Sequence, residues 1–190
     1  NDKDKIEMSD FESSKDKVMM GAERRSMVVS DKDRKRTAYH EAGHAIVAHI
    51  LPESDRVHKV TITPRGRAMG LTWFMPEERF GSTYKEFKCR IATAMGGRAA
   101  EKVILNEVST GASNDIKQAS DIAVNMVTKY GMSKALGPVN WAGGGGEVFL
   151  GRDYGKKASQ SETTAAKVDE EVRGLVQEGD DWARRILVTN

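Results

Sequence analysis

The chain has 190 residues, 38% of them hydrophobic and 31% charged, which predicts one soluble domain with a proper core. A formal net charge of +2, from 30 basic and 28 acidic residues, gives no electrostatic argument for nucleic-acid binding, and no apolar run is long enough to span a membrane. The single cysteine, Cys89, excludes an intrachain disulfide and a zinc ribbon, and no thiol-protease motif surrounds it.

The N-terminal part of the chain is charged, and we expect residues 1–8 to be loose. From Ser9 the spacing of apolar residues predicts a helix that ends at Gly21. We therefore divide the chain into a loose segment, 1–8, and one domain, 9–190.

The next helix is predicted over residues 31–50, because Ser30 or Asp31 can cap its start and Pro52 stops it. Gly43 inside this helix costs about 1 kcal/mol relative to alanine, which suggests close approach of another backbone. Five apolar residues at helical spacing are expected to face the core. They are Ala38, Ala42, Ala45, Ile46 and Ile50.

This helix carries the pattern H-E-x-x-H at residues 40–44. His40 and His44 lie one turn apart, so both imidazoles can bind one divalent cation. Glu41 lies about 100° round the helix from His40, beside the metal, where a general base would stand. A catalytic zinc keeps one of its four positions for water, so the pattern predicts peptide-bond hydrolysis.

Two strands are predicted beyond Pro52, over 57–63 and 70–74, because β-branched residues alternate there and turn residues separate the two runs. Zinc peptidases often bind an extended substrate along the edge of a sheet. Val60 and Ile62 are therefore our candidate substrate-binding residues, and proline at either position should cripple cleavage without changing the zinc content.

A capping box formed by Thr83 and Glu86 predicts the start of another helix, which continues to about Glu101. The pair Gly96 and Gly97 indicates tight packing, with the helix of residues 31–50 as a plausible neighbour.

The third protein ligand must come from elsewhere in the chain, since two histidines leave a catalytic zinc one ligand short. Ile50 stands where a metzincin would have its third histidine, which excludes that subclass. Spacing leaves four acidic residues open as candidates. They are Glu101, Glu107, Asp115 and Asp121, of which Asp115 lies in the first turn of a helix predicted to end at Gly131.

The glycine run at 143–146 predicts a flexible connection rather than a phosphate cradle, since no lysine with serine or threonine follows it. After Ser161 the apolar spacing predicts a long helix that packs on the core.

Seven short segments, in order along the chain, together resemble the peptidase domain of FtsH, the family of membrane-bound AAA zinc proteases. They are 10–12 (DFE), 19–26 (MMGAERRS), 37–44 (TAYHEAGH), 57–62 (VHKVTI), 96–101 (GGRAAE), 109–115 (STGASND) and 146–151 (GEVFLG).

The resemblance implies a mainly α, zincin-like domain with a small sheet beside the active-site helix. It implies one Zn²⁺ per subunit, bound by His40, His44 and Asp115, with Glu41 as the catalytic base. It also implies a last helix after Asn190, which is expected to be missing from this sequence.

For the whole parent protein, the resemblance implies a homohexamer with a transmembrane segment and an ATPase module. Its substrates would be unfolded, misassembled membrane and short-lived soluble proteins. The parent would be anchored in the inner membrane, or an organelle membrane in a eukaryote, with this domain on the cytoplasmic side. No phosphate loop stands in this chain, so ATP would act only through the absent module, and we expect no membrane contact by this part.

Two other classes remain as alternatives. In a structural zinc-binding domain, the histidines would hold a closed metal and Glu41→Gln would change little. In an inactive oligomerisation module, the domain would serve only to assemble an attached ATPase.

Overall fold

The architecture comes from a computed structural model that describes residues 5–24, 26–66, 68–75, 78, 80–142 and 161–190. Within these ranges the chain forms five α-helices and one antiparallel pair of strands. The predicted mainly helical fold with a small sheet is confirmed. None of the described helices is long and apolar enough to cross a membrane.

The first helix, α1 (Met8–Met20), ends at Gly21, as predicted. Gly21 has a φ of 84°, a conformation that glycine adopts without strain. The helix already includes Met8, the last residue of the segment expected to be loose, while residues 1–4 lie outside the described ranges.

The second helix, α2 (Asp31–Ile50), has the predicted bounds, and its first turn is capped by the Ser30 hydroxyl, which accepts a hydrogen bond from the Asp33 amide. Its buried face differs from the prediction, because Ile46 and Ile50 are 40% and 39% exposed. The buried face of the helix is instead the one that carries Gly43 and His44. The buried residues of α2 are Glu41, Gly43, His44, Val47 and Ala48.

The hairpin follows α2 and packs against it. Strand β1 (Arg56–Thr61) pairs with β2 (Leu71–Met75), and Val60 lies opposite Thr72. Both predicted strands are confirmed, with ends that differ by one or two residues.

The central helix, α3 (Tyr84–Ala100), packs against α2 and against the two helices that follow it. Its capping box is confirmed: the Glu86 amide donates to the Thr83 hydroxyl at 3.2 Å, and the Thr83 amide donates to the Glu86 carboxylate at 2.5 Å. The helix then widens into a π-helical turn (Glu101–Leu105), a form that is frequent at functional sites.

Two further helices complete the described structure. A 3₁₀ turn (Thr110–Ala112) leads into α4 (Ser113–Thr128), which ends slightly before the predicted Gly131. The long helix predicted after Ser161 is confirmed as α5 (Glu162–Thr189). The predicted flexible connection at 143–146 lies outside the described residues.

The core lies where α3 meets its neighbours, and small residues let the backbones approach closely. A Cβ placed on Gly43 would lie 2.3 Å from the Gly96 carbonyl oxygen, so the predicted close contact between α2 and α3 is confirmed. The core side chains are Val47, Leu51, Cys89, Ile91, Ala92, Met95, Ala99, Ala119, Ala123, Met126, Ala183 and Ile186.

Candidate metal centre

A cleft of about 950 Å³ opens between α2, β2, α3 and α4. Its lining includes His40, Glu41 and His44 from α2 and Asp115 from the first turn of α4. The fold therefore brings together the three residues expected to bind the metal and the expected catalytic base. Asp115, which the family resemblance singled out, is far from the histidines along the chain.

Three possible ligand atoms converge at one point of this cleft. His40 Nε2 lies 3.1 Å from His44 Nε2 and 3.1 Å from Asp115 Oδ2, and His44 Nε2 lies 3.6 Å from the same oxygen. A tetrahedral zinc with bonds near 2.1 Å places neighbouring ligand atoms about 3.4 Å apart. The spacing of the three atoms is therefore that of a zinc site.

The other nitrogen of each ring is held by a group that accepts a hydrogen bond. His44 Nδ1 lies 2.8 Å from the Thr93 carbonyl oxygen, which can only accept, so Nδ1 carries the hydrogen. His40 Nδ1 lies 2.8 Å from a carboxylate oxygen of Glu101. In a neutral ring this leaves the Nε2 lone pair directed at the convergence point.

The donor set fits a zinc ion on chemical grounds. Two Nε2 lone pairs and a carboxylate oxygen face one another, and such groups repel unless a proton or a metal cation lies between them. The set also holds two imidazoles and one carboxylate, as in catalytic zinc sites that leave a position open.

Gly97 of α3 provides space beside the two imidazoles. A Cβ at this position would lie 2.5 Å from the Nε2 atoms of both His40 and His44. Any side chain at residue 97 would therefore push the rings away from their present positions.

The pKa values of the cluster reflect these contacts. Burial would lower the pKa of His40, but hydrogen bonds with Asp115 and Glu101 raise it above its ordinary value of 6.5. Burial would raise the pKa of Asp115, but hydrogen bonds with His40 and His44 hold it well below its usual range. Without a metal, a proton on His40 therefore supplies a positive charge that stabilises the Asp115 carboxylate.

Glu101, one of the four open candidates, lies on the outer side of His40 rather than among the converging atoms. It is only 1% exposed, and its carboxylate also accepts hydrogen bonds from the Ser109 amide at 2.7 Å and the Ser109 hydroxyl at 3.1 Å. It therefore joins His40 to the loop that leads to Asp115. The spacing could not predict that Glu101 contacts the outer nitrogen of His40, since this contact depends on how α3 packs against α2.

Glu41 lines the same cleft as this cluster, and its side chain contacts the hairpin. Its carboxylate Oε2 accepts a hydrogen bond of 2.8 Å from the Thr72 hydroxyl. No described residue donates a hydrogen bond to Oε1, so this oxygen is free to accept a proton. No sequence signal points to Thr72 beyond its place in a predicted strand.

Two acidic candidates are not brought to the cluster. Glu107 Oε2 lies 3.6 Å from Arg36 Nη2, and Asp121 Oδ2 lies 2.6 Å from Lys117 Nζ on the exposed side of α4. Cys89 is fully buried, and burial raises the pKa of its thiol, in line with its exclusion as a nucleophile.

The candidate substrate residues lie on β1, for Val60, and directly after it, for Ile62. Val60 and Ile62 are 43% and 41% exposed, and neither lines the cleft, whereas residues 70–74 of the β2 segment do. The strand beside the metal centre is thus β2, and a substrate role for Val60 and Ile62 stays a prediction without geometric support.

The model of a known family, Peptidase family M41, matches residues 27–190. This chain belongs to peptidase family M41. The resemblance to FtsH is confirmed by relatives from several bacteria. The chain is 51% identical to the ATP-dependent zinc metalloprotease FtsH of Buchnera aphidicola subsp. Baizongia pistaciae, over 100% of its own length and 32% of the relative.

Other relatives with this name give the same result. The chain is 50% identical to the protein from Haemophilus influenzae, over 97% of its length and 30% of the relative. It is 47% identical to the protein from Myxococcus xanthus, over 99% of its length and 30% of the relative. The chain spans about a third of the length of the curated relatives it matches.

Membership of family M41 also agrees with the predicted zincin-like, mainly helical fold. The names of the relatives specify zinc, and the described residues bring His40, His44 and Asp115 into a group that could hold a metal ion. The predicted cofactor is thus supported by the family and by the geometry.

Proposed function

We propose that this chain is the peptide-hydrolysing domain of an ATP-dependent zinc metalloprotease. The observation that carries the proposal is the convergence of His40 Nε2, His44 Nε2 and Asp115 Oδ2 in a cleft that Glu41 also lines. His40, His44 and Asp115 are the proposed zinc ligands, and Glu41 is the proposed catalytic base.

A zinc ion bound to these three residues would activate a water molecule and polarise the carbonyl of the scissile peptide. Glu41 Oε1 accepts the proton of the attacking water and later delivers it to the nitrogen of the leaving amine. Glu101 and the Thr93 carbonyl hold the two imidazoles so that both Nε2 atoms stay directed at the metal position.

The proposed substrate is an extended, unfolded polypeptide that lies along β2. This strand lines the cleft, and among the described strands it pairs only with β1, so its other edge can receive a further strand. Recognition would then rest mainly on main-chain hydrogen bonds. A peptide with an N-methylated amide next to the cleaved bond should be a poorer substrate, and equal cleavage of both peptides would contradict this arrangement.

The test of the proposed function is hydrolysis of casein and of a short fluorogenic peptide by the wild-type protein and by Glu41→Gln at equal zinc content. We expect cleavage by the wild type and a rate about a hundredfold lower for Glu41→Gln, which keeps the shape of the side chain but cannot take up the proton. Glu178→Gln on α5, whose carboxylate pairs with Lys88, is the matched control.

The alternatives predict other results. Equal rates for wild type and Glu41→Gln would contradict the role of Glu41. A zinc-loaded protein that cleaves neither substrate, even when joined to its ATPase, would favour a structural zinc domain or an assembly module.

We further propose, from the family resemblance, that the whole protein is a membrane-anchored homohexamer that degrades unfolded, misassembled membrane and short-lived soluble proteins. The ATP dependence in the names of the relatives supports an attached ATPase module. Light scattering on the whole protein tests the hexamer, and protease protection in closed vesicles tests on which side of the membrane this domain lies.

A further inference from the structure

The strand that borders the cleft also holds the proposed catalytic base. The Thr72 hydroxyl lies 2.8 Å from Glu41 Oε2 and 3.0 Å from the Glu41 carbonyl oxygen. Thr72 and Glu41 are 8% and 7% exposed, so solvent competes little for these contacts. One side chain of β2 thus contacts both the backbone and the carboxylate of the same residue.

Gly70 adds a second contact to Glu41 from the same segment. Gly70 directly precedes β2, and both it and Thr72 face Glu41. A Cβ on Gly70 would lie 2.8 Å from both Cγ and Oε1 of Glu41. The segment therefore leaves space for the side chain of Glu41 at residue 70 and offers a hydroxyl at residue 72.

We propose that Thr72 is a positioning residue for Glu41, an inference that rests on the proposed function. The Thr72 hydroxyl fixes Oε2, and the space at Gly70 receives Oε1, so that one carboxylate oxygen is anchored and the other stays available to the attacking water. A glutamate has three rotatable side-chain bonds, and without this anchor it would occupy several rotamers.

The anchor also places base and substrate on one element. A peptide that lies along β2 takes its position from the backbone of this strand, and Glu41 takes its position from a side chain of the same strand. Small displacements of β2 would then move both together. This matters because a misplacement of about 1 Å can reduce a rate by about a hundredfold.

The kinetic test uses Thr72→Val, which keeps the side-chain shape but removes the hydroxyl, and Thr72→Ser, which keeps the hydroxyl. With the short fluorogenic peptide at matched zinc content, Thr72→Val should lower kcat about tenfold or more, with little change in KM. Thr72→Ser should retain most of the activity. The matched control is Thr128→Val in α4, whose buried hydroxyl donates to the Val124 carbonyl oxygen outside the cleft.

A double-mutant cycle separates positioning from a general structural effect. If Thr72 acts through Glu41, Thr72→Val should cause no further loss in a Glu41→Gln background. An equal fractional loss in both backgrounds, or full activity of Thr72→Val, would overturn the inference.

The unfolding midpoints of Thr72→Val, Glu41→Ala and the double variant give a readout that does not need activity. Because the two residues share a hydrogen bond, their shifts should not add. If the wild type cleaves nothing, the proposed function fails. The cycle of unfolding midpoints then decides by itself whether the Thr72 hydroxyl holds the Glu41 side chain. Additive shifts would overturn the anchor itself.

Discussion

The orientation of each histidine depends on the group that its outer nitrogen contacts. His44 is held by a main-chain carbonyl of α3, whereas His40 is held by the buried carboxylate of Glu101. Such outer contacts fix the tautomer and the ring plane, and they make the imidazole a better ligand. At this scale, zinc affinity should depend strongly on Glu101 although it is not among the proposed ligands.

We predict that Glu101→Gln lowers the affinity for zinc about tenfold or more, because a neutral amide is a weaker acceptor for the His40 ring and for Ser109. Competition with a fluorescent chelator measures this affinity. The control is Glu107→Gln, a nearby and exposed glutamate that pairs with Arg36. Equal affinities for Glu101→Gln and Glu107→Gln would show that the outer contact is unimportant.

Some of these residues could be predicted from sequence and others could not. The spacing of His40, Glu41 and His44 is local, so helical geometry alone predicts their arrangement. The choice among four acidic residues depends on how α4 docks against α2, and spacing left it open until the family resemblance pointed to Asp115. Thr72 was missed, since a threonine in a strand is ordinary until its neighbour is known.

At the scale of elements, α2 and α3 approach so closely because glycine faces glycine. A Cβ on Gly43 would lie 2.3 Å from the Gly96 carbonyl oxygen and 2.6 Å from Ala100 Cβ, so there is no flexible neighbour that could move aside. This contact sets how α3 presents Thr93 and Gly97, and how the π-helical turn after it presents Glu101, to the histidines.

We predict that Gly43→Ala lowers the free energy of unfolding by about 2 kcal/mol or more, because the added methyl group must push the two helices apart. Thermal and urea unfolding measure this change. The control is Gly174→Ala in α5, where a Cβ would meet nothing within 4 Å. That variant should gain up to about 1 kcal/mol from helix propensity. A neutral effect of Gly43→Ala would mean that the helices can separate at no cost.

The bounds of the elements were largely predictable, since they depend on local signals. Ser30 and Thr83 cap α2 and α3 as expected, and Gly21 ends α1. The exposure of Ile46 and Ile50 was not predictable, because the inward face of α2 follows from the histidines and Gly43 rather than from the apolar stripe. It was also not predictable which of the two strands borders the cleft, because the sequence of a hairpin does not specify this.

At the scale of the whole molecule, the metal centre connects parts that are distant in sequence. It joins α2 to the start of α4, while Glu101 ties in the end of α3. A cation bound at this point would therefore act as a cross-link across the domain.

We predict that removal of zinc by a chelator lowers the unfolding temperature. With free zinc at about a thousand times its dissociation constant, the bound ion contributes about 4 kcal/mol. Differential scanning calorimetry before and after chelation measures this effect, and Asp115→Asn should largely abolish the difference. An unchanged unfolding temperature would contradict a metal that links the elements.

The difference in stability between zinc-loaded and zinc-free protein should also grow as pH rises above about 6.5, the ordinary pKa of histidine. In the zinc-free protein, the raised pKa of His40 contributes stability below 6.5, and this contribution is lost as pH rises through the folded value. The lowered pKa of Asp115 arises from the same contact with His40, so it adds no separate change in this window. Unfolding temperatures at a series of pH values measure the difference, and a constant difference would contradict the assignment.

The contact between His44 and the Thr93 carbonyl has a consequence for protein engineering. A carbonyl of the main chain cannot be removed by substitution, so the orientation of His44 should survive any substitution of the buried Thr93 that fits the same space. The orientation of His40 depends on a side chain and is therefore open to design. Libraries intended to tune metal affinity should vary Glu101 and Ser109, and should leave His44 and its contact with the Thr93 carbonyl unchanged.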